Sequence, residues 1–262
     1  MPESKGRCEI VPPSTSRNDA CSQTKKPVAA ARRPRPVELE LLPGVTSSPK
    51  LIHEVIPVGW LQCNCSIIGD TESREAIVID PGDNPEEILA VLRRHRLKVK
   101  YIVITHAHID HVGGAAKLKQ ATGAPVLMHP EDRWLLENVE LQAQMIGVPA
   151  PPVAELDQPL RAGDEIRWGR DLSAHVLHTP GHSPGSVSLY LPEPQKILFA
   201  GDTLFAGSIG RTDLWGGSSD AILRSIHSHL LVLDNATAVY PGHGPATTIG
   251  DERERNPFLQ GL

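Results

Sequence analysis

Hydrophobic positions between residues 51 and 104 follow strand-like and then helix-like spacing. Four short apolar runs, several of them rich in β-branched residues, are typical of strands. They lie at residues 51–58, 63–69, 76–79 and 101–104. Before the last run, Asn84 and Pro85 predict a helix start with Asn84 as N-cap, and apolar positions continue the helix to about Arg96. Strand, helix and strand in this order favour an α/β fold.

The pattern after residue 112 adds three helices and six short strands. The helices are predicted at residues 112–120, 131–145 and 219–231, and the strands at 125–128, 165–168, 173–178, 186–191, 196–200 and 237–240. The proline-rich residues 149–159 are expected to form only a connection. Two clusters of strands, each interrupted by helices, predict two sheets packed face to face with helices outside.

Composition separates residues 1–50 from the rest of the chain. This segment holds eight of the 24 prolines, has no aromatic residue and carries a local net charge of +4, which leaves −9 for residues 51–262. A segment of this kind cannot bury enough apolar surface to offset the entropy lost on ordering. We therefore predict a disordered extension at residues 1–50 and one domain over residues 51–262.

The whole chain has the composition of an ordinary globular protein, with 40% hydrophobic and 22% charged residues. No apolar run approaches about 18 residues, so we expect no membrane partner. The net charge of −5 disfavours binding to phosphate backbones, so we expect no nucleic-acid partner. The chain lacks the apolar core of a secretory signal and is expected in the cytoplasm. The arginines at 32, 33 and 35 leave an organellar transit peptide as the alternative.

The most informative segment follows the apolar run 101–104. It contains His106, His108, Asp110 and His111 within six positions. On an extended segment His106 and His108 face the same side, and a following turn can aim Asp110 and His111 at a neighbouring point. One segment can therefore supply ligands to two adjacent metal ions.

Three later residues have a similar context, each just past a predicted strand and next to glycine. They are His182, Asp202 and His243. Strand ends can present such side chains on one edge of a rigid sheet. Imidazole and carboxylate ligands without thiolates suit zinc, iron or manganese.

The segment T-H-A-H-I-D-H at 105–111, followed by the later His, Asp and His in this order, resembles the metallo-β-lactamase superfamily. Within it, the chain is most similar to small glyoxalase II-like hydrolases. Supporting strings lie at residues 79–82, 205–213 and 256–259. The resemblance implies an αββα sandwich of two mixed sheets with helices outside.

The resemblance also implies a role for each ligand. His106, His108 and His182 would hold a first metal ion, and Asp110, His111 and His243 a second, with Asp202 bridging both. Two divalent ions, for which we expect zinc with iron or manganese as alternatives, would lower the pKa of a shared water. The resulting hydroxide would attack a carbonyl carbon, and Asp110 would orient it as the catalytic residue.

Several residues near this pattern have more than one interpretation. Asp80 has two interpretations, one in which it hydrogen-bonds a ligand histidine and one in which it only holds its turn. His178 is expected to pack rather than to bind metal. Cys63 and Cys65 lack the spacing of a zinc or redox pair and are expected to pack in a reducing compartment.

The expected activity is hydrolysis of a small-molecule thioester, for example S-D-lactoylglutathione. Only 19 residues follow His243, which leaves no room for the helical region with which larger glyoxalase II enzymes bind glutathione. Arg211 is the candidate to bind a substrate carboxylate, and pairing with Asp213 is its alternative role. The alternatives are a persulfide dioxygenase-like enzyme with one iron, and a lactonase or other ester hydrolase. A non-enzymatic protein that keeps the site for its structure is disfavoured, because such polar clusters are costly without metal.

Overall fold

The computed structural model describes residues 51–260 of the chain. The disordered extension predicted at residues 1–50 lies outside the described residues. None of the helices in residues 51–260 is long and apolar enough to cross a membrane.

Two six-stranded sheets form the centre of the described region. The first sheet has the order β1-β2-β3-β4-β5-β6, and the second has the order β14-β13-β10-β9-β8-β7. Strands β1–β3 pair antiparallel and β3–β6 pair parallel, so the first sheet is mixed. The second sheet is mixed too, because β10 and β13 are parallel while its other pairs are antiparallel. The strands of the first sheet are β1 Leu51–Val58, β2 Cys63–Asp70, β3 Glu75–Ile79, β4 Lys98–Val103, β5 Val126–Met128 and β6 Gln158–Pro159.

The remaining strands follow residue 160. Those of the second sheet are β7 Glu165–Trp168, β8 Leu172–His178, β9 Val187–Leu191, β10 Ile197–Gly201, β13 Ala238–Pro241 and β14 Thr247–Thr248. A separate hairpin consists of β11 Leu204–Phe205 and β12 Ser208–Ile209.

Within residues 51–260, six α-helices lie between strands and a seventh follows the last strand. They are α1 Pro85–His95, α2 Ile109–Val112, α3 Ala115–Thr122, α4 Arg133–Glu137, α5 Val139–Ile146, α6 Ser219–Ser225 and α7 Ile249–Arg255. A 3₁₀ turn at Pro130–Asp132 precedes α4, and a π turn at Ile226–Leu230 follows α6.

The alternation of strand residues builds three apolar layers. On β3, Ala76 and Val78 face helices α1, α3, α4 and α5, whereas Ile77 and Ile79 face the second sheet. On β10, alternate residues likewise point towards the first sheet or towards α6 and α7. Helix, sheet, sheet and helix are therefore stacked in four layers, and the predicted αββα sandwich is confirmed.

The structure differs from the sequence predictions in several elements. The helix predicted at 131–145 is broken at Asn138, where two short helices meet with non-helical backbone angles. Asn84 occupies the N-cap position of α1, but its φ is +51° and its side chain makes no capping bond. Its amide instead bonds Glu87 and accepts the Gly59 N–H. Residues 149–159 contain the edge strand β6, which the proline-rich composition concealed.

Candidate metal centre

The segment after β4 carries four of the seven predicted ligands. His106 and His108 lie on the loop that follows the strand, and Asp110 and His111 lie on the single-turn helix α2. The helix begins after His108, whose extended backbone accepts the His111 N–H at 2.9 Å. The change from extended to helical backbone turns the second pair of ligands away from the first pair.

The other three ligands follow strands of the second sheet. His182 lies in the loop after β8, Asp202 directly after β10, and His243 after β13. Gly242 gives the ligands the space they occupy, because a Cβ at this position would overlap the Asp202 carboxylate. The edge where both sheets end therefore brings all seven predicted ligands together.

Three histidines form the first group of ligand atoms. His182 Nε2 lies 2.8 Å from His108 Nδ1 and 3.2 Å from His106 Nε2. Burial, together with the neighbouring His182, lowers the pKa of His108 to about 3. Burial and the surrounding histidines likewise hold the pKa of His106 well below its usual value. Neutral imidazoles are the form that binds metal ions.

Asp110, His111 and His243 form the second group. Asp110 Oδ2 lies 3.1 Å from His243 Nε2 and 3.7 Å from His111 Nε2. Burial acts to raise the pKa of Asp110, but His111 and His243 outweigh it and hold this pKa below the usual range. The carboxylate is therefore ionised at neutral pH.

Asp202 lies between the two groups. Its Oδ2 is 3.6 Å from His182 Nε2 and 3.8 Å from His243 Nε2, and its Oδ1 is 3.5 Å from His111 Nε2. One carboxylate thus faces histidines of both groups, which is the placement that a bridging ligand requires.

Two buried atoms test whether these residues fit a metal ion. His111 Nε2 and Asp202 Oδ1 have no hydrogen-bond partner, although both are shielded from solvent. A buried polar atom without a partner costs roughly 1–3 kcal/mol. A divalent cation between them would satisfy both, and a nitrogen and an oxygen are ligands that zinc, iron and manganese accept. The residues present therefore fit a metal centre.

The ring nitrogens that point away from this centre are fixed by hydrogen bonds. His111 Nδ1 lies 3.0 Å from the buried carboxylate of Asp80, and His182 Nδ1 donates to the Arg211 carbonyl at 2.8 Å. Asp80 also accepts the backbone N–H and the hydroxyl of Thr105, both at 2.7 Å. The Asp80 side chain therefore bonds a predicted ligand histidine, the first of the two interpretations that the sequence left open. Its own turn is held by the backbone, where the Gly82 N–H donates to the Asp80 carbonyl at 2.8 Å.

Asp132 is a functional residue that the sequence reasoning missed. Its carboxylate accepts the N–H of Ala107 at 2.9 Å, the hydroxyl of Ser183 at 2.7 Å and the N–H of Gly185 at 2.5 Å. These donors belong to the two loops that carry the first group of histidines. Burial raises the pKa of this carboxyl group, while its three donors oppose the shift.

Gln142 of α5 also bonds the loop that carries His106 and His108. Its side-chain oxygen accepts the Ile109 N–H at 2.9 Å, and its amide donates to the Ala107 carbonyl at 3.1 Å. No local sequence signal distinguishes Gln142 or Asp132 from other polar residues on helices. Their role depends on contacts between segments distant in sequence.

The remaining candidates lie outside the ligand set. Cys63 Sγ is 3.5 Å from His111 Nδ1, and burial raises the pKa of this thiol to about 12. His178 stacks on His129 with ring centres 4.1 Å apart and bonds the carbonyl of Pro184. His178 therefore contacts His129 and Pro184 rather than the seven predicted ligands.

A cavity of about 580 Å³ opens over the ligand atoms. Its lining includes Arg211, whose guanidinium forms two hydrogen bonds to Asp213, at 2.7 and 2.8 Å. The pair is largely exposed to solvent. The structure thus shows the alternative role, pairing with Asp213, and places Arg211 on the cavity lining. Binding of a substrate carboxylate by Arg211 stays a prediction.

Comparison with known proteins places this site in a family. The model of the metallo-β-lactamase superfamily matches residues 58–243. Hydroxyacylglutathione hydrolase GloC of Haemophilus influenzae is 38% identical over 207 residues, which cover 79% of this chain and 97% of that protein.

Two solved structures share the fold at comparable identity. The crystal structure of BLEG-1 B3 metallo-β-lactamase is 39% identical with a TM-score of 0.75, covering 80% of this chain and all of that one. The crystal structure of TTHA1623 in a di-iron-bound form is 42% identical with a TM-score of 0.69, covering 79% and 100%. The chain therefore belongs to the metallo-β-lactamase superfamily.

Proposed function

We propose that this protein is a metal-dependent hydrolase that cleaves thioesters, as glyoxalase II enzymes do. The observation that carries the proposal is the position of Asp202 between two groups of predicted ligands. Two buried atoms at this place, His111 Nε2 and Asp202 Oδ1, have no hydrogen-bond partner. The similarity to GloC supports a thioester as the substrate. In this reaction the carbonyl carbon gains an oxygen from water, the C–S bond breaks, and the products are a carboxylic acid and a thiol.

The residues would divide the work as follows. His106, His108 and His182 would hold one divalent ion, and Asp110, His111 and His243 the other, with Asp202 shared. When bound, the two ions would supply a hydroxide at neutral pH and positive charge for the tetrahedral oxyanion. Zinc is our first choice, and the di-iron form of TTHA1623 makes iron a specific alternative.

Asp110 would orient the attacking water. Its carboxylate is held in the ionised form by His111 and His243, so it can accept a hydrogen bond from a water molecule beside it. No side chain of the site is proposed as nucleophile. The Ser183 hydroxyl is buried and bonded to Asp132 and Ser186, and the Cys63 thiol stays protonated at neutral pH.

Metal content and activity, measured on one preparation, test this proposal. Two metal ions per chain, together with hydrolysis of S-D-lactoylglutathione that a chelator abolishes, are the expected results. One iron per chain with oxygen uptake on glutathione persulfide would replace it with the dioxygenase-like alternative. A loaded site that cleaves a lactone but no thioester would replace it with an ester hydrolase.

A further inference from the structure

The cavity over the ligand atoms has an apolar wall that the proposed chemistry does not explain. Four large hydrophobic side chains that are exposed to solvent line it: Trp60, Leu61, Met145 and Ile146. Trp60 is 73% exposed and Met145 is 61% exposed, so neither is needed to fill the protein core. A cluster of exposed apolar side chains on a protein is more often a binding surface than a random feature.

The wall is built from two separate elements. Trp60 and Leu61 lie in the turn between β1 and β2, and Met145 and Ile146 form the last turn of α5. Leu214 and Trp215, from the loop before α6, complete the lining. Three unrelated segments therefore present apolar side chains to one space, which also contains His108, Asp110 and Asp202.

The side chains that line the cavity offer little positive charge for the carboxylates of a ligand. Arg211 is the one Lys or Arg among the described residues that line it, and its guanidinium is already bonded to Asp213. The pairing raises the pKa of Arg211 and lowers that of Asp213 to about 2, so the two charges offset one another at neutral pH. Glutathione carries two carboxylates, and this lining offers no second cation for them.

We propose that the substrates are thioesters whose acyl group is large, uncharged and apolar, such as an arylacyl or medium-chain fatty acyl group. This inference rests on the proposed thioesterase function. The acyl group would lie against Trp60 and Met145 while the scissile carbonyl faces the ligand atoms. The cavity of about 580 Å³ has room for such an acyl group together with the thiol part of a substrate. Each CH₂ group moved from water into such a site increases affinity about fourfold.

A series of thioesters with a common uncharged thiol tests the inference. Acetyl and phenylacetyl thioesters of N-acetylcysteamine would be compared on the metal-loaded protein. We expect kcat/KM at least tenfold higher for the phenylacetyl substrate. Trp60→Ala and Met145→Ala should each lower this ratio at least threefold, chiefly through a lower kcat/KM for the phenylacetyl substrate. Phe258→Ala, which removes an exposed aromatic outside the cavity, is the matched control and should change neither.

A binding measurement separates this inference from the proposed reaction. In the corresponding thioethers, CH₂ replaces the scissile carbonyl, and calorimetry would follow their binding to metal-loaded and metal-stripped protein. The apolar site is supported if the phenylethyl thioether binds at least tenfold more tightly than the ethyl thioether and if Trp60→Ala reduces this difference. This holds even if no thioester is cleaved. That combination would refute the thioesterase function alone.

Equal kcat/KM for acetyl and phenylacetyl substrates, with equal affinity for the two thioethers, would overturn the apolar site. A preference for S-D-lactoylglutathione over the phenylacetyl thioester would overturn it as well. In both cases hydrolysis would still support the thioesterase function.

Discussion

Asp80 connects a ligand histidine to the backbone of the loop that carries the first two ligands. It bonds His111 Nδ1 and both donors of Thr105, and it is buried. A carboxylate at this position fixes which ring nitrogen of His111 faces the metal centre. The residue is therefore predicted to orient His111 at the metal centre without being one of the seven predicted ligands.

We predict that Asp80→Asn lowers metal affinity roughly 10–100-fold, because an amide cannot accept all three hydrogen bonds. Competition with a chromophoric chelator measures the affinity. Asp83→Asn, at an exposed position three residues away, is the control. Unchanged affinity in Asp80→Asn would show that His111 is held by other contacts.

His108 is a ligand in the proposed assignment, and its loss should be more severe. We predict that His108→Ala lowers metal occupancy and abolishes hydrolysis, because one of three converging nitrogens is removed. Elemental analysis by mass spectrometry gives the occupancy. Normal turnover in this variant would contradict the ligand assignment. His175→Ala, on β8 and outside the cluster, should retain both properties.

Arg211 stays a predicted substrate-binding residue. Its side chain is exposed and paired, and exposed ion pairs contribute only about 0.2–1 kcal/mol. Arg211→Ala should therefore raise KM for S-D-lactoylglutathione only about two- to fivefold. Metal occupancy should persist, because His182 bonds the main-chain carbonyl of Arg211, which the substitution retains. An unchanged KM would remove the role in substrate binding.

Among the elements, the single-turn helix α2 packs closely against the turn after β3. A Cβ on Gly82 would overlap the carbonyl oxygen of Asp110, so the turn after β3 packs directly against the backbone of α2. Because α2 carries Asp110 and His111, any shift of this helix moves two ligands at once.

Gly82→Ala should accordingly destabilise the protein by roughly 1–3 kcal/mol and lower the metal content. Chemical unfolding and elemental analysis measure the two effects. Gly250→Ala in α7 is the comparison, since its Cβ would lie 3.1 Å from the Asn235 carbonyl oxygen, a tight contact rather than an overlap, and it should destabilise the protein less. Equal stability of the two variants would contradict the close packing inferred at Gly82.

Regular spacing of apolar residues predicted most strands and the stacking of the layers, and strand ends predicted where ligands converge. Irregular elements were harder to predict. The break at Asn138 and the short hairpin β11–β12 leave no sign in the spacing of apolar residues. The supports Asp132 and Gln142 join segments far apart in the sequence, and a single sequence gives no sign of such contacts.

At the scale of the whole molecule, His53 links the two sheets. It lies on β1 of the first sheet, and its ring meets those of Phe199 and Tyr240 on the second, with centres 5.3 and 4.5 Å apart. Its Nε2 is buried without a hydrogen-bond partner, and burial lowers the pKa of His53 to about 4. The ring therefore packs between the sheets in its neutral form.

This burial predicts a loss of stability in mild acid. His53 takes up its proton near pH 6.5 in the unfolded chain and only near pH 4 in the folded protein. The stabilisation of the fold by neutral His53 is therefore complete above pH 6.5 and decreases as the pH falls towards 4. The full effect is at most about 3 kcal/mol. The measurement is the difference in unfolding free energy between wild type and His53→Leu, determined at several pH values from 7 to 4.5. The change of this difference with pH gives the contribution of His53. A difference that does not change with pH would refute the assignment.

The ligands also join the two sheets, because four of them follow β4 of the first sheet and three follow strands of the second. Ions that bind only when both sheets are in place must shift the unfolding equilibrium by mass action. At a free metal concentration 100 times the dissociation constant, one site adds about 2.7 kcal/mol. The melting temperature should therefore rise with metal concentration and fall when a chelator is added. The resistance of the protein to heat would then depend on how much metal is available.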